Sequence, residues 1–262
     1  ADGSMTGVAN LTQNSNMNDT WTVNGVLSAT TFQYGAYEGR NWGTSTVTFN
    51  VNGAATIGTM TISRIGWSQD STANTIINVN NGGVLTATTI QGINNDFGAV
   101  GYKRPHRYIN VNAGGRLNVT TVNLSQGGDA STVRRLTCNN GTVANNASGN
   151  ITVDSSTAVY IYNNARMEAS SGRTITINGV ISQTGNLVKM GQGTLTITAA
   201  STHSGSTVVS NGVLTISGAG ALTGTSSVTI ESGATNNLSG TGNNQLRGPW
   251  TISGVMKVTT AT

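Results

Sequence analysis

The stretch INVNNGGVL at residues 77–85 returns 32 residues later as INVNAGGRL at residues 109–117. Within each copy apolar and polar residues alternate, which is the period of a strand with one face turned to a core. Ile77, Val79 and Leu85 are therefore inward, while Asn78 and Asn80 face outward or stack at the turn. Gly82 with Gly83, and Gly114 with Gly115, supply turn conformations that other residues resist. Two near-identical copies read as successive coils laid one strand spacing apart, so that like side chains stack on one another.

Working outward, VTFNVNGAATIG at residues 47–58 puts Phe49 in the place of Ile77, and the blocks that follow extend the series to residue 146. Equivalent positions are spaced by 28, 32 and 27 residues, with the strands aligned on Thr61, Thr89 and Thr121. Periods of this size mark a solenoid, in which one unit buries its apolar face only by stacking on the next. The expected fold is all-β, a right-handed parallel β-helix (solenoid), with residues 1–20 as a polar N-terminal extension or cap and residues 21–262 as a single domain.

Composition agrees. Of 262 residues, 35 are Gly and 2 are Pro, with 8% charged. Thr, Val and Ile suit pleated surfaces, and Gly and Asn suit tight turns. Thirteen basic against nine acidic residues, a net +4, make too dilute a field to point to nucleic acid. No run of eighteen apolar residues predicts a membrane span. The start at Ala1 reads as a mature N-terminus left by signal-peptide cleavage, and an extracellular or cell-surface location is expected. Cys138 has no second cysteine to pair with, so packing and backbone ladders must stabilise the fold.

The C-terminal half alternates strand and Gly turn more loosely. Residues 185–224, GNLVKMGQGTLTITAASTHSGSTVVSNGVLTISGAGALTG, resemble the autotransporter-associated β-strand repeat of bacterial surface and secreted β-helices. Gly185, Leu187, Lys189, Gly191, Gly193, Leu195, Ile197, Gly205, Thr207, Gly212 and Leu214 fall on its pattern, and His203 stands where the pattern has Tyr. The resemblance implies a fold and a location, and no mechanism.

The two ends also resemble each other: WTVNGVLSATT at residues 21–31 and WTISGVMKVTT at residues 250–260. Neither carries a charged or helical cap, and an open sheet edge templates addition of another strand. A head-to-tail contact that does not close gives a filament. The expected function is thus a structural protein that assembles with itself end to end, through Trp21, Val23 and Val26 at one end and Trp250, Ile252, Val255 and Val258 at the other. Residues 1–20 offer a second route, reaching onto a neighbour as an added strand.

Two alternatives come from other residue sets. Lys103, Arg104, His106, Arg107 and Arg135, in or near the YKRPHRY stretch read as a loop, form a basic patch for polysaccharide or cell envelope, and Tyr34, Tyr37 and Trp42 form a carbohydrate platform or subunit interface. An adhesin-type monomer would use these. Asp70, Asp96 and Asp129, nine, seven and eight residues beyond the aligned threonines, together with Arg107 and Arg134, form the candidate row of a polysaccharide lyase or hydrolase. Cys138 falls in register with Val79 and Val111 and reads as a buried thiol, and His203 reads as structural. No zinc cluster is present in the sequence, and no metal or cofactor is expected.

Overall fold

A computed structural model describes all residues except 1–2, 16–17, 39–43, 67–71, 95–104, 125–132, 146–148, 241–246 and 260–262. The chain divides into two compact units, Ala1–Leu136 and Thr137–Thr262. Among the described residues the regular structure is all strand, and the strands pair in parallel, as expected of a β-helix.

In the first unit the strands are β1 (Ser4–Ser15), β2 (Asp19–Val23), β3 (Val26–Glu38), β4 (Thr44–Val51), β5 (Ala54–Gly66), β6 (Thr72–Val79), β7 (Val84–Asn94), β8 (Pro105–Val111) and β9 (Arg116–Asn123). The next strand, β10 (Arg134–Asn139), spans the boundary in sequence. Two ladders result. β2, β4, β6 and β8 stack before the turns, and β1, β3, β5, β7 and β9 stack after them.

The repeated letters do stack. Ile77 pairs with Ile109, Asn78 with Asn110 and Val79 with Val111. The inward isoleucines and valines are fully buried, and the outward asparagines form rails. Asn112 donates to Asn80 at 2.8 Å, Asn80 to Asn52 at 2.9 Å and Asn52 to Asn24 at 2.8 Å. A second rail runs from Asn110 through Asn78 to Asn50. Each amide both donates and accepts along the stack, which is what makes asparagine fit a position repeated in every coil. At the turn, a side chain on Gly83 would meet the Val51 carbonyl at 2.0 Å and one on Gly115 the Val79 carbonyl at 2.2 Å. Only glycine lets the coils close to strand spacing there.

Two expectations need correction. Thr89 pairs with Thr59 rather than Thr61. Before the turn, coils β4 and β6 are offset by 28 residues (Phe49 on Ile77), but after it by 30 (Ala54 on Val84). The turn after β4 has two residues where the turn after β6 has four, and this difference shifts the register. Within the expected N-terminal extension or cap, residues 4–15 form strand β1, paired along β3. The YKRPHRY stretch is not all loop, because from Pro105 onward it is strand β8.

The second unit has shorter coils. Its strands are β11 (Thr142–Asn145), β12 (Ile151–Val153), β13 (Ala158–Tyr162), β14 (Asn164–Glu168), β15 (Thr174–Ile177), β16 (Ile181–Ser182), β17 (Asn186–Met190), β18 (Thr194–Ile197), β19 (Ala200–Ser201), β20 (Thr207–Val209), β21 (Val213–Gly218), β22 (Ala221–Leu222), β23 (Val228–Ile230), β24 (Thr235–Gly240), β25 (Trp250–Ile252) and β26 (Val255–Val258). Its interior is a set of columns. One runs Ile151, Ile175, Leu195, Leu214, Asn236, Met256, and beside it runs Val153, Ile177, Ile197, Ile216, Leu238, Val258. Two more run Ala165, Leu187, Thr207, Val228, Trp250 and Met167, Lys189, Val209, Ile230, Ile252.

Candidate functional site

Those columns end in the open. Val228, Ile230 and Asn236 are buried, but the residues stacked on them in the last coil are not: Trp250 is 39% exposed and Ile252 47%. Val258, on Leu238, is 71% exposed. These side chains keep the inward register of the coil and are exposed among the described residues. Val255 is exposed on the outward register, and Lys257 is exposed beside it. Among the described residues β25 pairs with β23 and β26 with β24, each on one side only. A row of unpaired backbone groups beside exposed apolar side chains is what another strand pairs with.

The first unit has an open face of the same kind. Met5 stacks on Leu27, Trp21 on Phe49 and Val23 on Val51, with the lower residue of each pair buried and the upper one uncovered to some degree. A notch of about 270 Å³ lies there, lined by residues 3–5 and 21–27. Trp21 rests on Phe32, ring centroids 6.1 Å apart, and Phe32, Tyr34 and Phe49 pack within 5.7 Å of one another. The seven residues expected at the two ends therefore comprise half-buried Trp21 and Val23 and exposed Val26, Trp250, Ile252, Val255 and Val258.

The other candidate residues fare differently. Tyr34 is no platform: it is fully buried, and its hydroxyl donates to the Thr48 carbonyl at 2.6 Å. Burial raises its pKa well above the usual tyrosine value. Arg107 is likewise inside the coil, not on a surface patch, with Nη1 donating to the Leu124 carbonyl at 2.6 Å. Gly92 makes the room, since a Cβ there would lie 2.6 Å from the guanidinium. His106 and Arg135 are half-buried; His106 Nδ1 accepts from the Val133 N–H, and the Arg135 guanidinium lies 5.4 Å from the Tyr108 ring centre. Arg134 is half-buried on the inward side of its strand. Tyr37 pairs with Ile65 on β3, and its side chain, like Trp42, Lys103, Arg104, Asp70, Asp96 and Asp129, lies outside the described residues. Counted from Thr59, the true partner of Thr89, Asp70 is eleven residues on, against seven and eight for Asp96 and Asp129.

Buried polar groups in the second unit carry structure. Lys189 sits in an interior column and its ammonium donates to the carbonyls of Met190, Gly191 and Asn211 at 2.7–2.9 Å. Burial draws its pKa down to about 8. His203 is fully buried, its Nε2 3.0 Å from the Thr207 hydroxyl, which in turn lies 3.1 Å from that of Thr225. Desolvation pulls its pKa down to about 4. Cys138 is buried as expected, and burial pushes its thiol up to about 11. The sequence reading left Lys189 without a role. Its signal was there: a lysine on the inward phase of Leu187 and Lys189, two residues before a Gly-x-Gly turn full of carbonyls.

Among the described residues no three His, Cys, Asp or Glu side chains gather as metal ligands, and no helix is long and apolar enough to cross a membrane. Residues 187–216 match the family model of the passenger-associated-transport-repeat, and these strands carry that repeat in the structure. No curated protein and no solved structure matches the chain at a significant level.

Proposed function

We propose that this chain is a secreted or surface β-helix with a structural role, and that it associates with copies of itself end to end. The observation that carries the reading is the exposed apolar row on β25 and β26: Trp250, Ile252 and Val258 hold the inward register and are 39–71% exposed. An apolar notch lies at β1 and β2. A contact between two different surfaces builds a filament where its rotation does not close into a ring. The match of residues 187–216 to a passenger-associated repeat supports the location. Arg107, one member of the set that polysaccharide cleavage would use, lies in the interior.

Replacing Ile252 and Val258 by lysine tests this, because both side chains point along the columns that a next coil would cover. The double variant should remain monomeric by light scattering at concentrations where the parent chain gives particles that grow with concentration. A parent chain that stays monomeric throughout overturns the reading.

A further inference from the structure

One outer face of the second unit carries a regular array of threonines that neither the interior of the coil nor end-to-end association uses. We infer that this face, on β12, β15, β18, β21 and β24, binds the surface of ice. The array is complete in a single copy and does not rest on self-association.

Outward residues on these strands stack in columns, as the inward ones do. Thr152 pairs with Thr176, Thr176 with Thr196 and Thr196 with Thr215. Beside them Thr174 pairs with Thr194, Thr194 with Val213 and Val213 with Thr235. These pairings run without a register shift, so β15 and β18 each present Thr-x-Thr to solvent and β21 presents Val-x-Thr. Thr152 is exposed and the others are half-buried, as side chains packed side by side on a sheet face are.

The hydroxyls of this array are left over. Among the described residues those of Thr152, Thr174, Thr176, Thr194, Thr196 and Thr215 have no hydrogen-bond partner. Outward threonines of the first unit differ: Thr86 accepts from Asn118, Thr61 from Gln91 and Thr46 from Asn74. The five strands hold no charged and no aromatic residue, and Asp154, just after β12, is turned to Ser156 and Thr157. A sugar polymer is gripped through aromatic rings and charged side chains, and this face offers it neither. Water needs only hydroxyls, which both donate and accept.

The dimensions select ordered water. Adjacent strands lie about 4.8 Å apart, and residues two apart on a strand are separated by about 6.6 Å. These repeats lie close to the oxygen spacings along the a and c axes of hexagonal ice, which lets successive hydroxyls fall on successive lattice oxygens. The threonine methyl orders the water over it, while the hydroxyl bonds into the same layer. Branching at Cβ restricts χ1, so the array is set before binding and little side-chain freedom is lost. Val213 keeps the methyl and the shape at its place in the lattice.

The test follows a single ice crystal in a solution of the full chain and reads thermal hysteresis, the gap between melting and growth temperatures. Two variants run beside the parent: Thr196→Tyr in the middle of the array, and Thr229→Tyr, half-buried and outward in the separate ladder of β17, β20 and β23. The parent and Thr229→Tyr should hold the crystal against growth, and Thr196→Tyr should lose at least tenfold of the hysteresis. Thr152→Tyr, at the exposed edge of the array where a ring meets no core, should lower it too. Melting followed by circular dichroism establishes that each variant is folded. No hysteresis from the folded parent at millimolar concentration, or equal hysteresis from parent and folded array variants, overturns the inference. Adsorption to crystalline cellulose that Thr196→Tyr abolishes, with no effect on ice, would also overturn it and assign the face to a polysaccharide.

Discussion

Acid should weaken the second unit through one side chain. His203 is fully buried and its pKa is drawn from the ordinary 6.5 to about 4 by desolvation. The folded chain therefore binds the imidazole proton less readily than the unfolded chain between those two values. Stability is then full above about pH 6.5 and falls as the pH drops toward 4, since protons favour the state that binds them. At about 1.4 kcal/mol for each pKa unit, the whole window is worth about 3 kcal/mol, and most of it is lost by roughly pH 4.5. His203→Gln removes the titration and retains a group that can bond Thr207. Urea unfolding followed by far-UV circular dichroism at pH 7 and pH 4.5 gives the two changes in stability. Every other ionisable group is common to the two proteins and cancels in the difference. The parent chain should lose about 2–3 kcal/mol more than the variant over this interval. Equal losses would show that His203 is protonated without penalty, and the buried imidazole cluster with Thr207 and Thr225 would have to be wrong.

Three more outcomes are expected. Gly83→Ala drives a methyl onto the Val51 carbonyl, 2.0 Å from an ideal Cβ, and should destabilise the first unit by about 2–4 kcal/mol in chemical denaturation, a loss typical of backbone clashes. Lys189→Met leaves the Gly191 and Asn211 carbonyls without their donor, while Met190 keeps the Ala169 N–H; a loss of about 2–3 kcal/mol is expected, read as a melting point lower by roughly 5–10 °C. Cys138, buried and with its thiol pushed up to about 11, should ignore a thiol reagent at neutral pH in the folded protein and react fully in denaturant.

The coil itself was legible because its signal repeats. Inward Ile77 and Ile109, outward Asn78 and Asn110, and glycines at the corners follow from a two-residue period that any copy reports, and Cys138 inherited its burial from that phase. Registers across turns were less legible. Thr61 and Thr89 align by letter, but a turn two residues shorter after β4 makes Thr59 the partner. Arg107 was misplaced for a different reason. An arginine in a basic stretch reads as solvated, and its burial depends on the space left by Gly92 in another coil, a long-range fact that no local pattern encodes. Tyr34 was misread similarly, since its phase on β3 pointed inward but its polar hydroxyl drew attention to the surface; the Thr48 carbonyl satisfies that group inside. The likeness between residues 21–31 and 250–260 marked both stretches as coils, and both are strand, two-residue turn and strand in the structure.

The most direct test of end-to-end association is electron microscopy of the purified chain at micromolar concentration, without any added ligand. Filaments that lengthen with concentration, and that disappear when Ile252 and Val258 are both replaced by lysine, are the predicted result. Isolated particles at every concentration would contradict it.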